Sequence, residues 1–416
     1  MQVLLSHPGN PQFAQQAARA LYEAELLAAY VTTFHYRPQS SLGRLLKTGM
    51  GLLTREPERQ LNRRRISEVP DDVIISHPRY ELLRTLALKA PTGPVLADLV
   101  WEQAELWFDH TVAQQHLGGV PAVFGYEHAA LQTFQAQRRQ GGRCIYEMPI
   151  SHHKLAAELL QPEFDRFPET QTAYDVHLQR LAPRRNWRKD EELALADLVL
   201  APSTFVKQSL IYAGVAPERI AVVPYGAPPP LDAVPERPYR PCIFLSAGSQ
   251  SVRKGIHYLL QAWRKLAPGP EAELWLVGAM SLPERLLRDL PGKVLIKPSL
   301  PRRELFEIYR RAAVLVLPSL CEGYALVIGE ALAHGLPVIT TPNSGGEAFI
   351  ESGVNSFMLP VRDVDRLTET MQWCIDHPAA LPSIAAAALH TARRWQWQDY
   401  RRGLRQQLDR FLANTE

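Results

Sequence analysis

At 416 residues the chain is too long for one ordinary hydrophobic core, so two domains are expected. Its composition, 46% hydrophobic and 21% charged, is that of a soluble globular protein. The net charge of +3 and scattered basic residues give no support to a nucleic-acid partner, and no run reaches the ~18–20 apolar residues of a membrane span. The four cysteines, Cys144, Cys242, Cys321 and Cys374, lack C-x-x-C spacing and read as free thiols of a reducing compartment.

Along the chain, short apolar runs alternate with helical patterns, the signature of parallel α/β domains. The segment Met1–Gly9 reads as a first strand entering a loop, not as a signal peptide, so a cytoplasmic protein is expected. Strands are predicted at Val3–Ser6, Ala28–Thr33, Val73–Ser76, Val120–Phe124, Cys144–Glu147 and Leu198–Ala201. After the first of these, Gly9-Asn10-Pro11 is either a binding loop or a plain turn. Residues 37–66 interleave Leu42, Leu45, Leu46, Met50, Leu52 and Leu53 with Arg44 and Lys47, and end in Arg63-Arg64-Arg65. The stretch is either a core-packed helix pair or a basic amphipathic face for an anionic membrane surface. Glu127 and His128 follow the Val120–Phe124 run and are candidates for substrate contact or for a structural role. His152-His153 suggests a metal, but neighbours on an extended segment point apart and nothing completes a ligand set, so no metal is expected.

Prolines 224, 228–230, 235, 238 and 241 mark a linker, because a segment so dense in proline is neither helix nor central strand. Beyond it, strands are predicted at Cys242–Ser246, Glu273–Val277, Lys293–Lys297, Val314–Leu317 and Pro337–Thr340. The first of these enters a small-residue loop through Gly248, then Arg253-Lys254-Gly255, then a helix with apolar positions Ile256, Leu259, Leu260 and Trp263. Free N–H groups and the positive end of a helix, joined by two cations, are suited to a diphosphate. The strand at Val314–Leu317 ends in Pro318-Ser319, then Glu322-Gly323 and, after seven residues between the two glutamates, Glu330. Two carboxylates at the carboxyl end of a strand suit a polyhydroxylated ligand, since each accepts from neighbouring hydroxyls. Asp363-Val364-Asp365 matches D-x-D superficially, but its place before a helical pattern predicts an N-cap.

In this order and separation the two elements resemble the retaining glycosyltransferases of family 4, which have the GT-B fold. The resemblance extends through Ala333–Ile339, Ser344-Gly345-Gly346 and Gly353–Leu359, and reaches the first half at Ala196–Ser203. It implies two Rossmann-like parallel α/β domains facing a cleft: an acceptor-side domain at 1–225, a nucleotide-sugar domain at 226–394, and a tail at 395–416 crossing back to the first. By the same resemblance Arg253 and Lys254 bind the donor diphosphate. Glu322, with the backbone of Gly323, Tyr324, Ala325 and Leu326, holds the donor sugar and the distal phosphate. Glu330 takes the ribose, Pro298 and Leu300 border the base, and His128 faces the donor sugar. The implied donor is a UDP-, GDP- or ADP-sugar, used without a metal or other cofactor. A glycan or lipid-linked acceptor is implied, with peripheral contact to the inner membrane face through 37–66. Ala325 stands where relatives usually carry glycine, and Glu347 lies one place before the usual acidic position, which is Ala348 here. Two rivals share the donor site: a nucleotide-sugar epimerase of the same fold and a non-catalytic nucleotide-sugar-binding protein. An NAD-dependent oxidoreductase fails on the missing G-x-G-x-x-G.

Overall fold

Strands β1 (Val3–His7), β2 (Leu27–Thr32), β3 (Ile74–Ser76), β4 (Ala122–Tyr126), β5 (Arg143–Glu147), β6 (Leu198–Ala201) and β7 (Ile220–Val222) form one sheet in the order β3-β2-β1-β4-β5-β6-β7. A second sheet takes β8 (Cys242–Ala247), β9 (Ala272–Val277), β10 (Lys293–Lys297), β11 (Val314–Leu317), β12 (Val338–Thr340) and β13 (Phe357–Met358) in the order β10-β9-β8-β11-β12-β13. The computed structural model describes residues 2–40, 43–44, 47–48, 61–62, 64–79 and 93–413. Most of the basic amphipathic stretch 37–66 therefore lies outside the described residues.

Parallel strands are covered by helices on both faces, which is why β11 (VLVL) and β6 (LVLA) are buried at every position and apolar throughout. Each predicted run is found as a strand, within a residue or two at its ends. Two strands were not predicted: β7, which runs into the proline-dense segment, and β13, which has only two residues. In both sheets the strand order reverses at the first-formed strand, β1 beside β4 and β8 beside β11. A crevice opens outside the carboxyl ends of two strands where connections depart in opposite directions, and open α/β sheets bind ligands there. The loops after β8 and β11 carry the Arg-Lys and Glu-Gly pairs. The loops after β1 and β4 carry Gly9 and His128.

The chain forms two compact units that interleave in sequence. One comprises Met1–Met148, His177–Leu200 and Arg401–Glu416; the other comprises Pro149–Val176 and Ala201–Tyr400. In the second unit the helix Ile256–Leu266 buries Ile256, Leu259, Leu260 and Trp263, an i, i+3, i+4, i+7 face against β8 and β9. The proline-dense segment is anchored by Arg237, a buried cation with no carboxylate partner among the described residues. Its Nη1 donates to Ala312 O and its Nη2 to His334 O, each at 2.8 Å. Those carbonyls end the helices Arg302–Arg311 and Leu326–Ala333, where the dipoles favour positive charge. Among the described residues no helix is long and apolar enough to cross a membrane.

Candidate functional site

The site of the second unit is assembled from the loops after β8 and β11. Gly255 holds φ +69°, and a Cβ there would stand 1.9 Å from Pro318 O, so a larger residue would drive the two loops apart. Main-chain bonds knit them: Leu320 N donates to Arg253 O at 3.0 Å and Cys321 N to the same oxygen at 3.2 Å. The Lys254 ammonium lies over Gly248, 3.0 Å from where a Cβ would be. Arg253 and Lys254 thus precede the N-terminus of the helix Ile256–Leu266 with their charged groups at the β8–β11 crevice.

Both cations converge on one carboxylate. Arg253 Nη1 lies 2.7 Å from Glu322 Oε1, and Lys254 Nζ lies 3.5 Å from Oε2. At that longer distance the ammonium acts chiefly as a charge, so Oε2 is buried with no well-placed hydrogen-bond donor among the described residues. Burial would raise the Glu322 carboxyl, but Lys254 and Arg253 outweigh it and hold it below its ordinary range. Glu330 differs. Tyr309 OH donates to Oε2 and Arg302 Nη2 lies by Oε1, each at 3.1 Å, yet burial dominates and raises this carboxyl. The two glutamates, alike in sequence, have separate partners and opposite shifts; Arg302 and Tyr309 carried no signal in the sequence.

The segment after Glu322 is fixed by contacts within the unit. A Cβ on Gly323 would meet Pro149 O at 2.1 Å, and Gly323 O accepts from Ser203 Oγ at 2.7 Å. Tyr324 is buried; its hydroxyl donates to Tyr225 O and accepts from Trp395 Nε1 at 3.1 Å. Ala325 has φ −80°, which needs no glycine, and its N–H is already spent on Ser344 O at 2.9 Å. Leu326 opens the helix that carries Glu330. Pro298 is exposed beyond β10, and Leu300 packs against the core beneath. Glu347 Oε1 accepts from the N–H groups of Thr204 and Phe205, so this displaced acidic residue caps a helix. Cys321, whose thiol burial pushes up, touches Ser151 Oγ at 2.9 Å.

In the first unit, Gly9 N donates to His7 Nδ1 at 2.8 Å, and burial pushes the His7 imidazole down to about 3, so it is neutral. Glu127 pairs with Lys189 at 3.1 Å. His128 is buried with φ +75° and lies in the loop after β4. Asp363 takes the expected N-cap role, whereas the His152 and His153 rings, expected to point apart, lie with their centroids 4.2 Å apart. His152 Nδ1 accepts from Lys154 N at 3.2 Å, and Asp363 caps its helix by accepting from Arg366 N at 2.9 Å.

Residues 241–377 match the family described as glycosyl transferases group 1. The match covers the domain of the second sheet and not the whole chain. The matched domain contains β8 to β13 and all four of Arg253, Lys254, Glu322 and Glu330. The chain is 28% identical over 251 residues to D-inositol 3-phosphate glycosyltransferase 1 of Catenulispora acidiphila, covering 53% of this chain and 57% of that protein. It is 29% identical over 194 residues to the MMP alpha-(1->4)-mannosyltransferase of Mycolicibacterium hassiacum, covering 45% and 47%. The chain thus spans about half the length of the curated relatives it matches. Two solved structures share the fold across their full length. HepE of Anabaena in complex with UDP-glucose gives a TM-score of 0.60 at 16% identity, covering 98% of this chain and 99% of that one. Sucrose-phosphate synthase of Thermosynechococcus elongatus gives 0.63 at 17% identity, covering 100% of both. The chain therefore has the GT-B fold.

Proposed function

We propose that this chain transfers a glycosyl group from a nucleoside-diphosphate sugar to a hydroxyl acceptor, with retention at the anomeric carbon. The observation that carries the reading is the convergence of Arg253 and Lys254 on Glu322 at the β8–β11 crevice. The reaction needs those charges: as the donor bond breaks, the leaving diphosphate gains negative charge that Arg253, Lys254 and the adjoining helix N-terminus stabilise. Glu322 Oε2, buried and without a hydrogen-bond donor among the described residues, accepts from a sugar hydroxyl. Glu330 takes a ribose hydroxyl, exchanging its bond from Tyr309 for one from the ligand. Such a transfer, with the acceptor proton passing to the leaving phosphate, needs no protein nucleophile, and the raised Cys321 thiol is not one. The acceptor we propose is a glycan or lipid-linked saccharide of the cell envelope; the leucine-rich basic sequence at 42–53 supports a site near lipid.

The test is calorimetric binding of UDP, GDP, ADP and NAD to the wild-type chain and to Glu330→Ala. One nucleoside diphosphate should bind, and ~10-fold more weakly to the variant, the loss of one charge-assisted bond. Binding of NAD with none of the diphosphates would overturn the reading. A donor that is converted and released without any acceptor would make the enzyme an epimerase.

A further inference from the structure

The imidazole of His128 is held on more sides than a packing residue requires, and one of its nitrogens is left over. Its Nδ1 lies 2.8 Å from Glu105 Oε2, on the helix Gly93–Gln115. The Trp101 ring, one turn earlier on that helix, stacks on it at 5.3 Å and 13°. The backbone is pinned too. Glu192 accepts from the N–H groups of His128, Ala130 and Leu131 at 2.6, 3.0 and 3.1 Å, while Arg188 Nε donates to His128 O at 2.9 Å. These bonds hold a non-glycine residue at φ +75°, a conformation that costs energy and persists only where its surroundings over-determine it. Nε2 is buried and has no hydrogen-bond partner among the described residues.

We infer that Glu105 is a positioning residue that keeps the His128 proton on Nδ1 and so presents Nε2 as a bare acceptor for a substrate sugar hydroxyl. This rests on the transferase reading for the identity of the hydroxyl, but not for the state of the ring. The chemistry follows from the pair itself. A carboxylate only accepts, so the nitrogen beside it carries the hydrogen. A proton on Nε2 would be a buried donor with nothing to receive it, whereas a bare lone pair there costs less and awaits a donor. Without Glu105 a neutral imidazole in water favours the proton on Nε2, which would turn an acceptor into a donor facing hydroxyls. The placement after β4, at the crevice of the first sheet, is where a ligand of that unit would lie.

The test is nitrogen NMR of 15N-histidine-labelled protein, with His128→Gln supplying the assignment, in the wild type, Glu105→Gln and Glu105→Leu. Nε2 should appear unprotonated in the wild type at neutral pH. It should remain so in Glu105→Gln, whose amide oxygen still accepts from Nδ1, and gain the proton in Glu105→Leu. A protonated Nε2 in the wild type, or an unchanged ring in a folded Glu105→Leu, overturns the proposal. Should the leucine variant not fold, the wild-type spectrum decides alone. Transfer from UDP-glucose, GDP-mannose and ADP-glucose is then compared: ~10- to 100-fold lower kcat/KM in Glu105→Leu, restored in Glu105→Gln, is expected of an outer-shell partner. Equal losses in the two variants, with the ring state of each as above, would also overturn it, by showing that the Nε2 state does not control turnover. No turnover by any variant, with the wild-type ring as stated, would count against the transferase reading alone.

Discussion

Arg253 and Lys254 face a carboxylate in this structure, and that arrangement fixes what single substitutions should do. Removing Lys254 deletes one charge from the proposed diphosphate site and leaves Arg253 with Glu322. Lys254→Ala should weaken binding of the nucleoside diphosphate by ~10- to 100-fold, the worth of a hydrogen bond to a charged group. Unchanged calorimetric affinity in a folded variant would remove the phosphate assignment. Glu322→Gln points the other way. Glu322 already pairs with the cations that would meet the diphosphate, at 2.7 and 3.5 Å, so neutralising it frees them. Bare diphosphate should bind equally or up to about tenfold more tightly, while sugar transfer falls because Oε2 no longer carries its charge to the hydroxyl. Parallel loss of both would make Glu322 a scaffold residue. At this scale the sequence showed the candidate charged residues and not how they pair. Nothing in E-x7-E distinguishes the lowered Glu322 from the raised Glu330, because Arg302 and Tyr309 come from a helix whose approach is set by packing.

Among elements, the helix His153–Arg166 has the plainest tie. Glu163, buried within it, accepts from Tyr258 OH at 2.8 Å and faces His257 Nε2 at 3.1 Å, while Arg362 Nε bonds its other oxygen. Burial opposes ionisation here, but the bonds from His257, Arg362 and Tyr258 win and hold the carboxyl down to about 2 from 4.5. A lowered carboxyl contributes stability in full above about pH 4.5 and loses it as the pH falls toward 2, here on the order of 2–3 kcal/mol. Glu163→Gln should therefore unfold at lower denaturant than the wild type at pH 7, with the gap closing by pH 2.5. A gap constant across that range would show that Glu163 acts through shape and not charge. Strands were the most legible elements, because β6, β8 and β11 are short, apolar at nearly every position, buried throughout and flanked by Gly or Pro. The three-residue β7 and two-residue β13 were not, since such lengths carry no periodicity. The polar network on Glu163 joins residues nearly 200 positions apart and has no local signal.

At the scale of the whole molecule the last helix is divided between the two units, and its contacts make that division testable. Trp397–Ala413 is one helix, yet Tyr400 closes the second unit and Arg401 begins the last segment of the first. From Arg401 onward its contacts are with residues early in the chain: Arg401 Nε lies 3.0 Å from Glu23 and Nη1 donates to Gln16 at 2.7 Å. Arg143 donates to Phe411 O at 2.5 Å and stacks over the Phe411 ring at 4.8 Å. Leu404 and Leu408 are buried, at i and i+4 on one face. Their burial is worth ~1.5–3 kcal/mol each, far more than the half-exposed Arg401–Glu23 pair, so the leucines decide the outcome. Deleting residues 401–416 should destabilise the first unit by ~3–6 kcal/mol on that basis. The loss should be local. In hydrogen exchange, protection should fall in the helix Gln12–Glu23 and in β5, which Arg143 opens, while the helix Ile256–Leu266 keeps its protection because its core, around Trp263, Leu274 and Val316, draws nothing from the tail. Equal loss in both units would mean that the tail supports the second core as well, and the division of the helix at Tyr400–Arg401 would have no energetic counterpart.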